Sequence, residues 1–171
     1  VLTALSLSLA TFAAPADARA PAVAATAEPA SFQSSRILVE TRGQGPDVVL
    51  IPGLASTSAV WSRTADALQN RYRVHLISVR GFGQIPAGGN AEGRISGPAA
   101  AEILRYIDEE SLTRPALIGH SMGGQVALRV AADGGRRVGR VMVVDASPFF
   151  PSLISPGSTV GDVEPLARLA Y

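Results

Sequence analysis

One stretch limits the fold of this chain more than any other: "ALIGHSMGGQVALRVAA", Ala116 to Ala132. A short apolar run ends at Ile118, and an alanine-rich pattern at helical spacing begins near Gln125. Between them Gly119-His120-Ser121-Met122-Gly123, followed by Gly124, must carry the chain from strand into helix. A turn this tight forces its central residue into a strained backbone conformation and projects its side chain clear of the sheet. Gly119 and Gly123 let the strand and helix backbones approach without a Cβ between them. Ser121 is thus expected at the carboxyl edge of a sheet, where open α/β folds bind ligands. The helix N-terminus beneath it offers unpaired N–H groups and the positive end of a dipole. The other reading of the same residues is a glycine-rich turn with a capping serine. A bare G-x-S-x-G arises by chance in roughly one chain in ten or twenty of this size at average Gly and Ser usage. Set between an apolar strand and an amphipathic helix, it is far more specific.

The rest of the chain supplies that setting. "SRILVETRG" (Ser35 to Gly43) reads as a first strand. Val48 to Ile51 form a continuous apolar run ending at Pro52-Gly53, which suits a buried parallel strand. "SAVWSRTADALQN" spaces Val60, Trp61, Ala65 and Leu68 as one helical face, and "YRVHLISVRGFG" is a further strand entering a glycine-rich loop. "GPAAAEILRYIDEESL" opens with a proline suited to a first helical turn, and Ile103, Leu104 and Ile107 form its apolar face. A strand at 116–118, a helix from about Met122 to Ala132 and a strand Arg140 to Val144 complete the alternation. Strands alternating with helices specify an α/β domain with a mainly parallel sheet, and right-handed crossovers place helices on both faces. The divisions expected are 1–33 signal peptide and linker, 34–147 core, and 148–171 the start of a lid or cap segment.

Bulk properties bound the function. The chain has 171 residues, 47% of them hydrophobic, and a net charge of +1, the profile of one globular domain. Its arginines are dispersed, with no basic stripe interleaved with aromatics, which argues against nucleic acid as a partner. There is no cysteine, so disulfides and thiolate metal sites are excluded. Histidines and carboxylates do not cluster at metal-ligand spacing, and no glycine-rich segment forms a phosphate-binding fingerprint. No cofactor is expected. The opening "VLTALSLSLATFAAPADARA" is apolar through Phe12 and then rich in small residues, as in the h-region and cleavage region of a secretory signal. It is too short for a membrane span, which needs about 20 apolar residues. The expected location is secreted or periplasmic, with the sequence starting inside the signal.

"LIGHSMGG" and "VVLIPGLASTSAVW" together resemble the α/β-hydrolase superfamily, in its serine-hydrolase branch, over roughly Arg36 to Ser147. The resemblance implies a nucleophile at Ser121 and an oxyanion hole built from the Met122 N–H and the Leu54 N–H, with Gly119 and Gly123 as the elbow glycines. Two departures stand out. Pro52-Gly53 occupies the place where the family commonly has His-Gly, and Val79 precedes "RGFG" where an aspartate is common. Dehalogenases and most epoxide hydrolases of this fold carry an aspartate at the elbow, so Ser121 argues against them. Haloperoxidase-like and C–C bond hydrolases also use serine.

A serine hydroxyl needs a base within hydrogen-bond reach, and the base needs a carboxylate to hold it. In this fold the chain order is Ser, acid, His. The only histidines, His75 and His120, both precede Ser121. His120 is read as a packing or loop residue and His75 as a structural strand residue. The acid and base are therefore expected beyond Tyr171, with the fold cut short before its last strands and this polypeptide alone inactive or nearly so. Asp145, closing "VMVVDASP" on the same edge as Ser121, is a secondary candidate acid; its other reading is a carboxylate capping the next loop through Ser147. Asp108, Glu109 and Glu110 read as a solvated helix face. Phe149, Phe150, Leu153 and Ile154 suit either a lid over an apolar acyl substrate or ordinary core packing. The leading expectation is a serine hydrolase acting on a small ester or related acyl bond. The alternative is a non-catalytic relative binding an apolar ligand or partner, and oligomeric state is open.

Overall fold

The central strand of the sheet explains the run that shows no alternation. In the computed structural model, which describes residues 32–147, 149, 151 and 155–169, Asp47–Ile51 forms β2 and every residue of it is buried. It lies between β3 (Arg73–Val79) and β4 (Ala116–His120), paired in parallel with both. A parallel strand covered on both faces has no solvent side to reserve for polar residues. β5 (Arg140–Val144) continues the sheet in parallel beyond β4, and β1 (Ile37–Arg42) closes the other end antiparallel to β3. The order is β1-β3-β2-β4-β5.

Helices cover both faces, as the alternation predicts. The register aligns Leu50 with Leu76 on one side and Ile118 on the other. This face meets α1 (Ser62–Leu68) through Ala65, with Trp61 and Leu68 packed alongside. The opposite face, carrying Val49, Ile51, Ile77 and Leu117, meets α2 (Ser96–Glu109) and α3 (Met122–Gly134). Ile103 and Ile107 of α2 and Val126, Ala127 and Val130 of α3 are buried there. Each fully buried aliphatic side chain contributes about 1.5–3 kcal/mol, so this larger cluster holds α3, and with it the elbow, against the sheet.

One helical face differs from the sequence pattern. Ser58–Trp61 is a 3-10 turn preceding α1, not its first turn. Three residues per turn instead of 3.6 rotate Val60 out of the apolar stripe, and it is 56% exposed. Near the end of the chain, α4 (Val160–Leu169) starts at a reciprocal cap. The Thr159 N–H and Oγ1 both donate to the Asp162 carboxylate, and the Asp162 N–H donates back to the Thr159 carbonyl. Among the described residues no helix is long and apolar enough to cross a membrane. The lid reading of Phe150, Leu153 and Ile154, and nearly all of the signal segment, lie outside the described residues.

Candidate active site

The turn at the serine is tighter than the sequence suggests. β4 runs past Ile118, with Gly119 and His120 still in register with Val143 and Val144 of β5. α3 begins at Met122. The turn is therefore a single residue, Ser121, at φ 51° and ψ −122°. A side chain at this φ crowds its own carbonyl, and such conformations cost on the order of 1–3 kcal/mol where the surroundings enforce them. Here they do. The Ser121 N–H donates to the Val144 carbonyl (3.0 Å), and the Ser121 carbonyl accepts from the Gly124 N–H (2.9 Å) and the Gln125 N–H (3.3 Å).

The glycines at either side are steric requirements. A Cβ on Gly119 would press into the backbone of Gly123 and Gly124, 2.7 Å from the Gly124 Cα. A Cβ on Gly123 would strike the Ile51 and Pro52 carbonyls at the end of β2. The helix can start directly under Ser121 only because both positions lack side chains.

The loop after β2 meets this elbow. Gly53 is buried, and a Cβ built on it would stand 3.3 Å from the Ser121 Cβ and 3.1 Å from the His120 Nδ1. The Ser56 N–H closes on the Gly53 carbonyl (3.3 Å), making a four-residue turn with Leu54 and Ala55 at its centre. Ala55 has φ 57°, a value that type II turns demand at their third residue and that glycine usually supplies. Leu54 is 65% exposed and follows Gly53 directly in the chain. Met122 opens α3, where the helix itself offers its N–H no acceptor.

Asp145 follows β5 directly, exposed and at φ 48°, next to the carbonyl that holds Ser121. The loop beyond is tied to α3 by Gln125, whose Nε2 donates to the Ser147 carbonyl (3.1 Å), while Ser147 Oγ accepts the Phe149 N–H (3.3 Å). His120 is half-buried with its ring beside Gly53.

His75 lies toward the other end of the sheet, in a polar cluster that the sequence does not announce. Its Nε2 donates to Asp47 Oδ1 (3.0 Å), since an ionised carboxylate only accepts, and its Nδ1 accepts from the Tyr106 hydroxyl (2.7 Å). Arg73 Nε also donates to Asp47 Oδ1 (2.6 Å), and the Thr113 N–H donates to Oδ2 (3.3 Å). Burial holds His75 below its ordinary pKa, against the pull of the Asp47 carboxylate. Burial pushes Asp47 upward, but hydrogen bonds from Arg73 and His75 more than offset this and leave it below its ordinary value. Every partner is satisfied, so the cluster is structural. Asp108 and Glu109 lie on the exposed side of α2, paired with Arg137 and Arg105. Among the described residues no group of three or more His, Asp or Glu could hold a metal ion.

Comparison with known proteins agrees with this architecture. A family model described as the alpha/beta hydrolase fold matches residues 46–165. Pimeloyl-acyl-carrier protein methyl ester esterase of Aeromonas hydrophila subsp. hydrophila is 40% identical over 114 residues, 67% of this chain and 43% of that protein. The esterase of the same name from Nitrosomonas europaea is 32% identical over 67% of this chain and 42% of its own length. Among solved structures, an esterase from Exiguobacterium antarcticum superposes with a TM-score of 0.63 at 28% identity, over 77% of this chain and 50% of its own. A putative epoxide hydrolase from Pseudomonas aeruginosa gives 0.64 at 26%, over 74% and 44%. The chain thus spans about two-fifths of the length of the curated relatives it matches.

Proposed function

The chain belongs to the alpha/beta hydrolase fold family, and on that premise we propose that it carries the nucleophile of a serine hydrolase cleaving an ester or related acyl bond. Ser121 Oγ attacks the carbonyl carbon, and the Leu54 and Met122 N–H groups donate to the oxygen as it gains negative charge. Collapse of the tetrahedral intermediate expels the alcohol, and water then releases the acyl group from Ser121. Loss of one oxyanion donor typically costs about 100- to 1000-fold in rate, so the shape of the Gly53–Ser56 turn bears directly on the rate. The observation that supports this reading best is the positive φ of Ser121, with Gly53 so near that a Cβ added there would stand 3.3 Å from the Ser121 Cβ. A structure holds a serine in that conformation when its position, not its comfort, is what matters.

Neither histidine of the chain suits the base. His75 is committed to Asp47 and Tyr106, and both it and His120 precede Ser121, whereas in this fold the histidine follows the serine and the acid. The base and the acid are assigned to residues outside this chain in a longer protein, and the 171-residue polypeptide alone should be inactive or nearly so. The named relatives, methyl ester esterases, support an ester as the substrate class; an apolar acyl part is proposed from the apolar residues that follow the core in the sequence. The apolar opening of the chain supports export to the periplasm or beyond; a reporter enzyme active only outside the cytoplasm, fused after residue 33, tests that.

The chemical test uses the full-length protein. A fluorophosphonate should form an adduct located by mass spectrometry on Ser121, absent from Ser121→Ala, and p-nitrophenyl butyrate hydrolysis should disappear in the same variant. A protein that binds apolar ligands yet shows no adduct on Ser121 is a non-catalytic member of the fold.

A further inference from the structure

Ser78 is a buried hydroxyl on a side of β3 whose other residues, Val74 and Leu76, are apolar. It lies in β3, opposite Leu38 of β1, and shares its side of the sheet with Leu76, in the cluster that α1 covers. It is only 5% exposed. A buried hydroxyl is costly unless it is hydrogen-bonded, and this one accepts the Ser58 N–H at 2.9 Å. The bond joins residues 20 apart in sequence and ends on the segment that continues from the Gly53–Ser56 turn.

Ser58 opens the 3-10 turn, whose first N–H groups have no partner within the turn. Thr57 Oγ1 takes one of them, from Ala59, as a local cap. Ser78 takes the other and so ties the segment to the sheet. Gly83, in the loop leaving β3, presses on the same place, since a Cβ there would come within 2.7 Å of Thr57 Cγ2. On the other side a cleft of about 730 Å³ borders Thr57, Ser58, Ser78 and Gly83, so packing does not replace the bond. The turn bearing Leu54 is therefore held at two points: at Gly53 on the elbow, and at Ser58 on Ser78. Between them lie the exposed Leu54 and Ala55, the latter at a strained φ, and the half-buried Ser56 and Thr57.

We propose that Ser78 is a positioning residue for the oxyanion turn: through the Ser58 N–H it holds the Leu54 amide in line with the oxygen that Ser121 creates on its substrate. This rests on Ser121 being the nucleophile. Ser78 touches no reacting atom and acts only through the loop.

The test is the rate at which a fluorophosphonate modifies Ser121 in the full-length protein, because the phosphoryl oxygen occupies the same hole. Ser78→Ala should slow modification about tenfold, a fraction of the loss expected for a missing donor. It should lower kcat on p-nitrophenyl butyrate with little change in KM. Ser78→Cys, which fills the same space with a weak acceptor, carries the same expectation should the alanine variant fold poorly. Ser78→Thr, which keeps the hydroxyl, should restore the rate. Ile103→Val, a core change on α2 away from the loop, should lower stability without slowing modification. Rates in Ser78→Ala and Ser78→Cys no slower than in Ile103→Val overturn the proposal while leaving Ser121 as nucleophile. A wild-type protein that is not modified at Ser121 overturns both.

Discussion

The Ser121 N–H donates to the Val144 carbonyl across 3.0 Å, so the elbow is fastened to β5 as well as to the helix that follows it. That bond fixes Ser121 at φ 51°, a conformation in which any Cβ is strained. Ser121→Gly should therefore be more stable than Ser121→Ala by about 1 kcal/mol, although both lack the hydroxyl. Urea unfolding of the two variants in the full-length protein measures the difference. Equal midpoints would mean that the fold does not carry the strain the backbone angle implies.

The close approach of α3 to the end of β2 makes a second prediction. A Cβ on Gly123 has nowhere to go between the Ile51 and Pro52 carbonyls, at and just past the end of the most buried strand. Gly123→Ala should cost about 3 kcal/mol, the upper range for overpacking, or prevent soluble expression. Gly135→Ala is the contrast: apart from its neighbours along the chain, nothing lies within 4 Å of a Cβ there, so any cost comes from its φ of 54° and should stay near 1 kcal/mol. Thermal or urea denaturation of the pair decides, and similar losses at both sites would refute the steric argument.

These sites differ in how openly the sequence declares them. β2 is legible because a strand buried on both faces is a continuous aliphatic run, and the elbow because two glycines flank a serine at a change from strand to helix. The length of the turn is not legible: Gly119 and His120 look like turn residues and are shown to be strand by their pairing with Val143 and Val144 of β5 and, for Gly119, with Ile51 of β2. Ser78 is hidden for a similar reason. A serine in "VHLISV" carries no local signal, and its meaning comes from an N–H 20 residues earlier. The Asp47–His75–Tyr106 cluster draws on two strands and a helix, and no spacing within any one of them points to the others.

Asp145 stands beside the elbow but is expected not to be the acid. Asp145→Asn should keep kcat within about tenfold of wild type, whereas loss of the carboxylate that orients a catalytic histidine lowers kcat about 10⁴-fold. Steady-state hydrolysis of p-nitrophenyl butyrate by the full-length variant separates the two. A fall of the larger size would place the acid at the end of β5.

The buried histidine predicts how stability depends on pH. His75 is held neutral, its pKa below the ordinary 6.5 because burial disfavours the charged ring. Once unfolded it regains that value, so below pH 6.5 the unfolded chain binds a proton that the folded chain resists. The contribution is complete above pH 6.5 and declines as pH falls. Asp47 acts lower on the scale: its pKa lies below 3.8 in the fold, so its contribution is present above that value and lost only as pH falls beneath it. Between pH 7 and 5 the His75 effect should dominate. His75→Gln keeps polar atoms in the site and removes the titration. It should be less stable than wild type at pH 7.5, by about 1–3 kcal/mol for imperfectly remade buried hydrogen bonds. It should also lose less stability than wild type between pH 7 and 5. His120, Arg73, Glu110 and Tyr106 are common to both proteins, so the difference in slope isolates the one ring. Urea midpoints at pH 7.5, 6.5, 5.5 and 4.5 give the two curves. Parallel curves would show that the Asp47 carboxylate stabilises the charged imidazole as strongly as burial opposes it.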